Sequence, residues 1–209
     1  MSTPTYWETS RLHQCPTLNL MAGTQWYRIA RLFGGVTALK PYASKESRFD
    51  LSGLYLADHI AGAFAETRLI FVDKATSRYV LKNRADLDTR YLYRCRLQRN
   101  LLVANITAAI DEKIVTQLVT ASHVHDTSLV NLETLYLTIS QPFGRELRRV
   151  QPDVDGFFWA SRMGLGFNLL LFAEPDDCLA YDPPILLPNE PIAQGIMAEL
   201  DAGRVIPFA

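Results

Sequence analysis

The stretch DGFFWASRMGLGFNLLLFA, Asp155 to Ala173, decides how the chain reads. Two apolar, aromatic-rich runs, Phe157–Ser161 and Phe167–Ala173, flank Met163-Gly164-Leu165-Gly166. Short apolar runs bounded by a glycine-containing turn read as the arms of a β-hairpin. Working back from it, residues 91–104 alternate Tyr93, Cys95 and Leu97 against Arg94, Arg96 and Gln98, a half-exposed strand pattern. Trp26–Ala30 and Leu54–Leu56 are further short strands. Between them, residues 31–53 carry Gly34-Gly35, Pro41 and Gly53 and read as a long loop of the kind that is often functional.

Helical spacing appears between these strands. Asp58 stands where an N-cap would start a helix running to about Val72, with Ile60, Ala63, Phe64 and Thr67 on one face. Residues 128–140 carry Leu129, Leu132, Leu135, Tyr136 and Ile139 at amphipathic spacing. Pro142 opens a short basic helix to Arg149, and Pro191 a last helix over 191–200. The pattern predicts an α+β fold, a single compact domain with a mostly antiparallel central sheet. Residues 1–24 read as an N-terminal arm, 25–175 as the main domain with a helical insertion at about 100–150, and 176–209 as a C-terminal extension packed on it.

Composition sets bounds. The 209 residues are 48% hydrophobic and 21% charged, ordinary for a globular chain. A chain this long buries about 70% of its unfolded surface and needs no staple. Net charge is −1, which excludes a global polycation. The charge is uneven, with a basic block over 68–99 and an acidic stretch over 174–203. Cys15, Cys95 and Cys178 are odd in number and lack zinc spacing, so reduced thiols are expected. The opening residues lack the apolar core of a signal peptide, and no run reaches the ~20 residues that span a bilayer, so the expected location is cytoplasmic, in a host or a target cell. Gly34-Gly35 lacks nucleotide-loop spacing, and no serine sits in a GxSxG elbow. His123 and His125, with Asp126, are too few for a metal site and read as a polar loop, so no metal is expected.

Polar residues inside apolar segments need a partner or a ligand. Arg28 in WYRIA, Glu66 in AGAFAET and Ser161 in FFWASR are of this kind, joined by Arg48 in SRFD and Tyr55 in LYLAD. The runs Tyr27-Arg28, Ser47-Arg48-Phe49-Asp50, Gly53-Leu54-Tyr55-Leu56-Ala57-Asp58, Ala63-Phe64-Ala65-Glu66 and Asp155–Arg162 occur in an order that resembles the RES domain, named for a characteristic Arg, Glu and Ser. The resemblance implies a bacterial toxin with an ADP-ribosyltransferase-like fold that destroys NAD+ by phosphorolysis or hydrolysis. It also implies a protein antitoxin or immunity partner covering the active site. Matched by position, Arg28, Glu66 and Ser161 take the catalytic places, and Arg48, Tyr55 and Tyr27 the substrate-binding ones. NAD+ enters as substrate and inorganic phosphate as a co-substrate, with no further cofactor, no membrane and no direct nucleic-acid contact expected.

The chemistry of these residue types fits that expectation. An arginine fork, from Arg28 or Arg48, can hold a pyrophosphate bidentately. A carboxylate at Glu66 can stabilise the positive charge that develops on ribose, and can hold ribose hydroxyls. Tyr55 can stack on the cationic nicotinamide ring, and Ser161 can supply a hydrogen bond. If so, these residues converge on one cleft. Two other readings remain open from residues alone: transfer of ADP-ribose to a protein, and a non-catalytic module that binds RNA or another anion through the 68–99 block.

Overall fold

A computed structural model describes residues 7, 9–32, 49–67, 69–73, 78–81, 84–115, 140–161, 165–172 and 174–201. The strands are β1 Thr17–Leu20, β2 Gln25–Arg31, β3 Leu54–Ala57, β4 Ile70–Asp73, β5 Arg78–Leu81, β6 Arg90–Leu97, β7 Leu101–Asn105, β8 Gly156–Ala160, β9 Phe167–Leu171, β10 Leu179–Tyr181 and β11 Ile185–Leu186. The α-helices are α1 Ile60–Glu66, α2 Ile106–Asp111, α3 Gln141–Val150, α4 Pro175–Cys178 and α5 Pro191–Asp201. Short 3-10 segments occupy Thr9–Gln14, Arg84–Thr89 and Leu187–Asn189.

The hairpin forms as the sequence predicts. β8 and β9 pair antiparallel from Gly156 opposite Leu171 to Ala160 opposite Phe167. The turn closes with the Ser161 N–H donating to the Gly166 carbonyl at 2.8 Å. Gly166 has φ +74°, a left-handed conformation that a side chain resists. The hairpin stands inside a sheet of order β1-β7-β8-β9-β3-β2-β6-β10, with β11 also on β6. Only β7 and β8 pair in parallel among the described strands. β4 and β5 form a separate two-stranded ribbon.

Strand alternation divides the side chains between the two faces. One face carries Trp26, Leu54, Leu56, Tyr93, Leu101, Val103, Leu169 and Leu171 in a single cluster. Strands from both ends of the sheet feed that cluster, so the sheet curls to close this face largely on itself. The other face carries two cores. Ile29, Ala57 and Leu92 pack under α1 and α5 with Phe64 and Ile196. Phe157, Trp159 and Leu170 pack under α2 and α3 with Ala109, Phe143 and Leu147. Fully burying an aromatic such as Phe64 or Phe143 contributes roughly 2–3 kcal/mol.

Several local expectations are corrected. The 1–24 arm includes β1, an edge strand of the main sheet on β7. The alternating 91–104 segment is two strands, β6 and β7, which lie far apart in the sheet. The start of the expected 100–150 helical insertion is therefore strand β7, followed by the short α2, and α3 closes it. The helix after β3 ends at Glu66, not Val72, because the chain turns into β4. Its N-cap is His59. Asp58 instead accepts the Phe167 N–H at 2.9 Å, tying β3 to the β8–β9 turn. The amphipathic stretch 128–140 lies almost wholly outside the described residues, as do His123 and His125.

The C-terminal stretch is integral to the domain. β10 extends the sheet on β6. Glu190 is 1% exposed, forms an ion pair with Arg94, and caps α5 by accepting the Ala193 N–H at 2.8 Å. Part of the basic block is thus neutralised by the acidic stretch. Gly195 in α5 is exposed, and a Cβ there would meet nothing within 4 Å. Gly195→Ala is expected to raise stability by about 0.5–1 kcal/mol, read as a higher urea midpoint at unchanged slope.

Asp155 staples the hairpin to β7. Its carboxylate accepts from Arg99 at 2.7 Å and from the Leu102 N–H at 2.8 Å. Partial burial pushes this carboxyl up, but the bonds from Arg99 and Leu102 outweigh it and hold it below its ordinary value. A depressed folded-state value contributes stability above the unfolded value of about 3.9, lost as pH falls through the folded one. Asp155→Asn is expected to cost about 1–2 kcal/mol at pH 7. Thermal melts should show that difference shrinking as pH drops below about 4.

Candidate active site

Four strands meet in one transverse row. Tyr27 of β2 stands opposite Ala57 of β3, Ala57 opposite Asn168 of β9, and Asn168 opposite Trp159 of β8. Residues directly opposite share a face, here the face under the helices. The row crosses the seam where the two helix-covered cores part, with Ala57 on one side and Trp159 on the other. Ala57 offers only a methyl group at its centre.

Glu66 reaches this row from above. α1 starts just after β3 and crosses the sheet, its residues Ile60 to Ala65 all buried. Glu66 is its last residue and is half-buried. The Asn168 Nδ2 donates to Glu66 Oε1 at 2.9 Å. Asn168 itself has no exposed surface.

Tyr55 and Ser161 flank the row on the same face. Tyr55 is two residues before Ala57, and its ring meets Trp159 edge-on at 6.0 Å between centroids. Trp159 meets Phe49 in the same manner at 5.2 Å. Ser161 is two residues beyond Trp159 and buried. The Ala160 N–H before it donates to Thr107 Oγ1 at 2.8 Å, fixing the strand end to α2.

Arg28 is placed differently. Alternation sends its Cβ to the face of Trp26, opposite that of Tyr27. β2 pairs with β6 along its whole length, but with β3 only at Tyr27 and Ala57. The two strands splay beyond that pair. Arg28 Nη1 donates to the Tyr55 carbonyl at 3.2 Å, so the guanidinium bridges the opening. Arg28 is 7% exposed, and its charge also acts on Tyr93 and Cys95 behind the sheet. The structure therefore gathers Tyr27, Tyr55, Glu66 and Ser161 on one face, but the expected convergence on one cleft is not met at Arg28: its Cβ lies on the other face, and its guanidinium contacts the Tyr55 carbonyl through the opening between β2 and β3. Arg48 lies outside the described residues.

Two residues of the row escaped the sequence reading. Trp159 reads in the sequence as one more member of the apolar run FFWA. Asn168 was hidden in FNLLL, although a lone amide among apolar neighbours meets the criterion that singled out Arg28 and Ser161.

Reactive alternatives are weak. Burial pushes the Cys15 and Cys95 thiols up to about 12 and the Cys178 thiol to about 11, so none is a thiolate nucleophile at neutral pH. No group of three or more His, Cys, Asp or Glu side chains could hold a metal among the described residues. Asp58 is raised by burial, partly offset by the Phe167 N–H, His59 and backbone bonds.

The family model for the RES domain matches residues 23–193. The chain belongs to the RES domain family. The domain therefore reaches past the expected boundary at 175 and takes in β10, β11 and the start of α5. All six candidate residues lie inside it. The fold of this RES domain is similar to a chain in the crystal structure of the M. tuberculosis MbcT-MbcA toxin-antitoxin complex, with a TM-score of 0.54 at 16% identity. That similarity covers 91% of this chain and 96% of the other. No curated protein matches the sequence. Among the described residues, no helix of this RES domain is long and apolar enough to cross a membrane.

Proposed function

We propose that this RES domain is a toxin enzyme that breaks the nicotinamide–ribose bond of NAD+ and depletes the cellular pool. The observation that carries the reading is the Glu66 carboxylate held by a buried amide in an aromatic-lined seam. As the N-glycosidic bond breaks, its electron pair leaves with neutral nicotinamide and positive charge grows on the ribose. A preorganised carboxylate favours that state over the ground state. Tyr55 and Tyr27 offer aromatic faces to the cationic ring, and Ser161 offers a hydroxyl from the neighbouring strand end. Arg28, with one nitrogen on the Tyr55 carbonyl, braces β3 from behind, which leaves Arg48 as the first candidate for the pyrophosphate.

The acceptor then adds to the anomeric carbon and loses a proton. Water yields ADP-ribose, and inorganic phosphate yields ADP-ribose phosphorylated at that carbon. A free NAD+ consumer harms its host, so a protein antitoxin covering the seam is part of the proposal. The neighbouring fold is named as one half of such a pairing in its own complex. The ion pair of Arg94 with Glu190 and that of Arg99 with Asp155 tie up basic-block charge internally, which weighs against an RNA-binding module. Incubation with NAD+ in phosphate and in phosphate-free buffer, with products resolved by chromatography, tests the reading. Label appearing on a protein band instead would move the assignment to protein ADP-ribosylation.

A further inference from the structure

Asn168 is a fully buried amide in a strand otherwise built of Phe167, Leu169, Leu170 and Leu171. Its orientation is determined chemically. The Glu66 carboxylate only accepts, so the Nδ2 end must face it, as observed at 2.9 Å. The Oδ1 end is then left buried with no hydrogen-bond partner. A buried acceptor without a donor carries a desolvation cost that a leucine or valine at this position would not. A polar residue that burdens the fold while fixing one carboxylate has the signature of a functional compromise.

We propose that Asn168 is a positioning residue, which orients the Glu66 carboxylate toward the reacting ribose at the expense of fold stability. The assignment rests on the proposed cleavage of NAD+. Asn168 has no exposed surface, so it acts through Glu66 and not on substrate directly. Its neighbours fit this role. Ala57 flanks it on one side of the row with only a methyl group and Trp159 on the other, and Oδ1 bonds to neither.

The test pairs stability with kinetics in the full-length chain. Asn168→Val and Asn168→Ala are made alone and in the Glu66→Gln background. The expected result is a Tm for Asn168→Val equal to or above wild type, with kcat lowered about 10- to 100-fold and KM for NAD+ unchanged. In the Glu66→Gln background the same substitution should lower kcat little further, because the group it positions is already lost. An unchanged kcat in a folded, NAD+-active protein overturns the assignment and leaves the proposed reaction intact. So does a marked fall in Tm, or a loss that multiplies fully with that of Glu66→Gln, since either describes a merely structural residue. A folded wild-type protein that releases no nicotinamide overturns the proposed reaction itself, and this assignment with it.

Discussion

Glu66→Gln is expected to lower NAD+ cleavage by about 10²–10³-fold, the loss seen when one preorganised electrostatic group is removed from an active site. The substitution is chosen to isolate charge. Glutamine keeps an oxygen where Glu66 Oε1 accepts from Asn168 Nδ2, so the bond across α1 and β9 can persist. It keeps the size of the side chain and the last residue of α1. What it removes is the negative charge that faces the ribose as the bond breaks. A circular dichroism melt should therefore overlay wild type within a few degrees while turnover collapses. In cells, expression of wild type alone should arrest growth, and Glu66→Gln should relieve it. Growth arrest by Glu66→Gln equal to that of wild type, at equal soluble protein, would assign toxicity to some other property of the fold.

The largest structural effect is expected at Gly156. A Cβ built there lies 2.3 Å from the Leu170 carbonyl oxygen and 3.2 Å from its carbon. Both are backbone atoms of β9, so no rotamer change relieves the clash. Gly156 pairs with Leu171 in β9 and with Val103 in β7, so the strand cannot move toward either neighbour without opening a ladder. Overpacking typically costs 1–3 kcal/mol, and Gly156→Ala should fall at or above about 3 kcal/mol because the obstacle is main chain. Trp159 and Ser161 lie on the same strand run, so activity should fall with stability. A urea titration reads the first, and nicotinamide release at low temperature the second. A stable, fully active Gly156→Ala would show that β8 and β9 are less tightly apposed than described.

What could be read without coordinates divides by range. The β8–β9 hairpin was legible because its signal is local, two apolar runs about a glycine turn. The start of α5 was legible because Pro191 announces a first turn. Asp58 misled because its carboxylate serves Phe167, more than a hundred residues away, and not the helix it precedes. β6 and β7 merged into one pattern because alternation reports exposure and says nothing of the neighbouring strand. The acidic stretch looked like an appendage because Glu190 finds its cation, Arg94, only in the folded chain.

The site shows the same division. Tyr55 and Glu66 stand out in the sequence as polar residues in apolar segments, and the short link from β3 to α1 sets both on the helix-covered face. Arg28 was legible as a polar residue in an apolar strand, but its direction was not. Its bridge to the Tyr55 carbonyl depends on the splaying of β2 from β3, a long-range feature. Asn168 was passed over because a single amide barely perturbs an apolar run. Only the register that sets it opposite Ala57, with Glu66 above, gives it meaning.

The most direct test of the central claim is nicotinamide release from NAD+ by purified wild type beside Glu66→Gln, each freed of any bound inhibitor and each shown to be folded. The account predicts rapid release by wild type and loss of about 10²–10³-fold in the variant. No release by wild type, or equal release by both proteins, would contradict it.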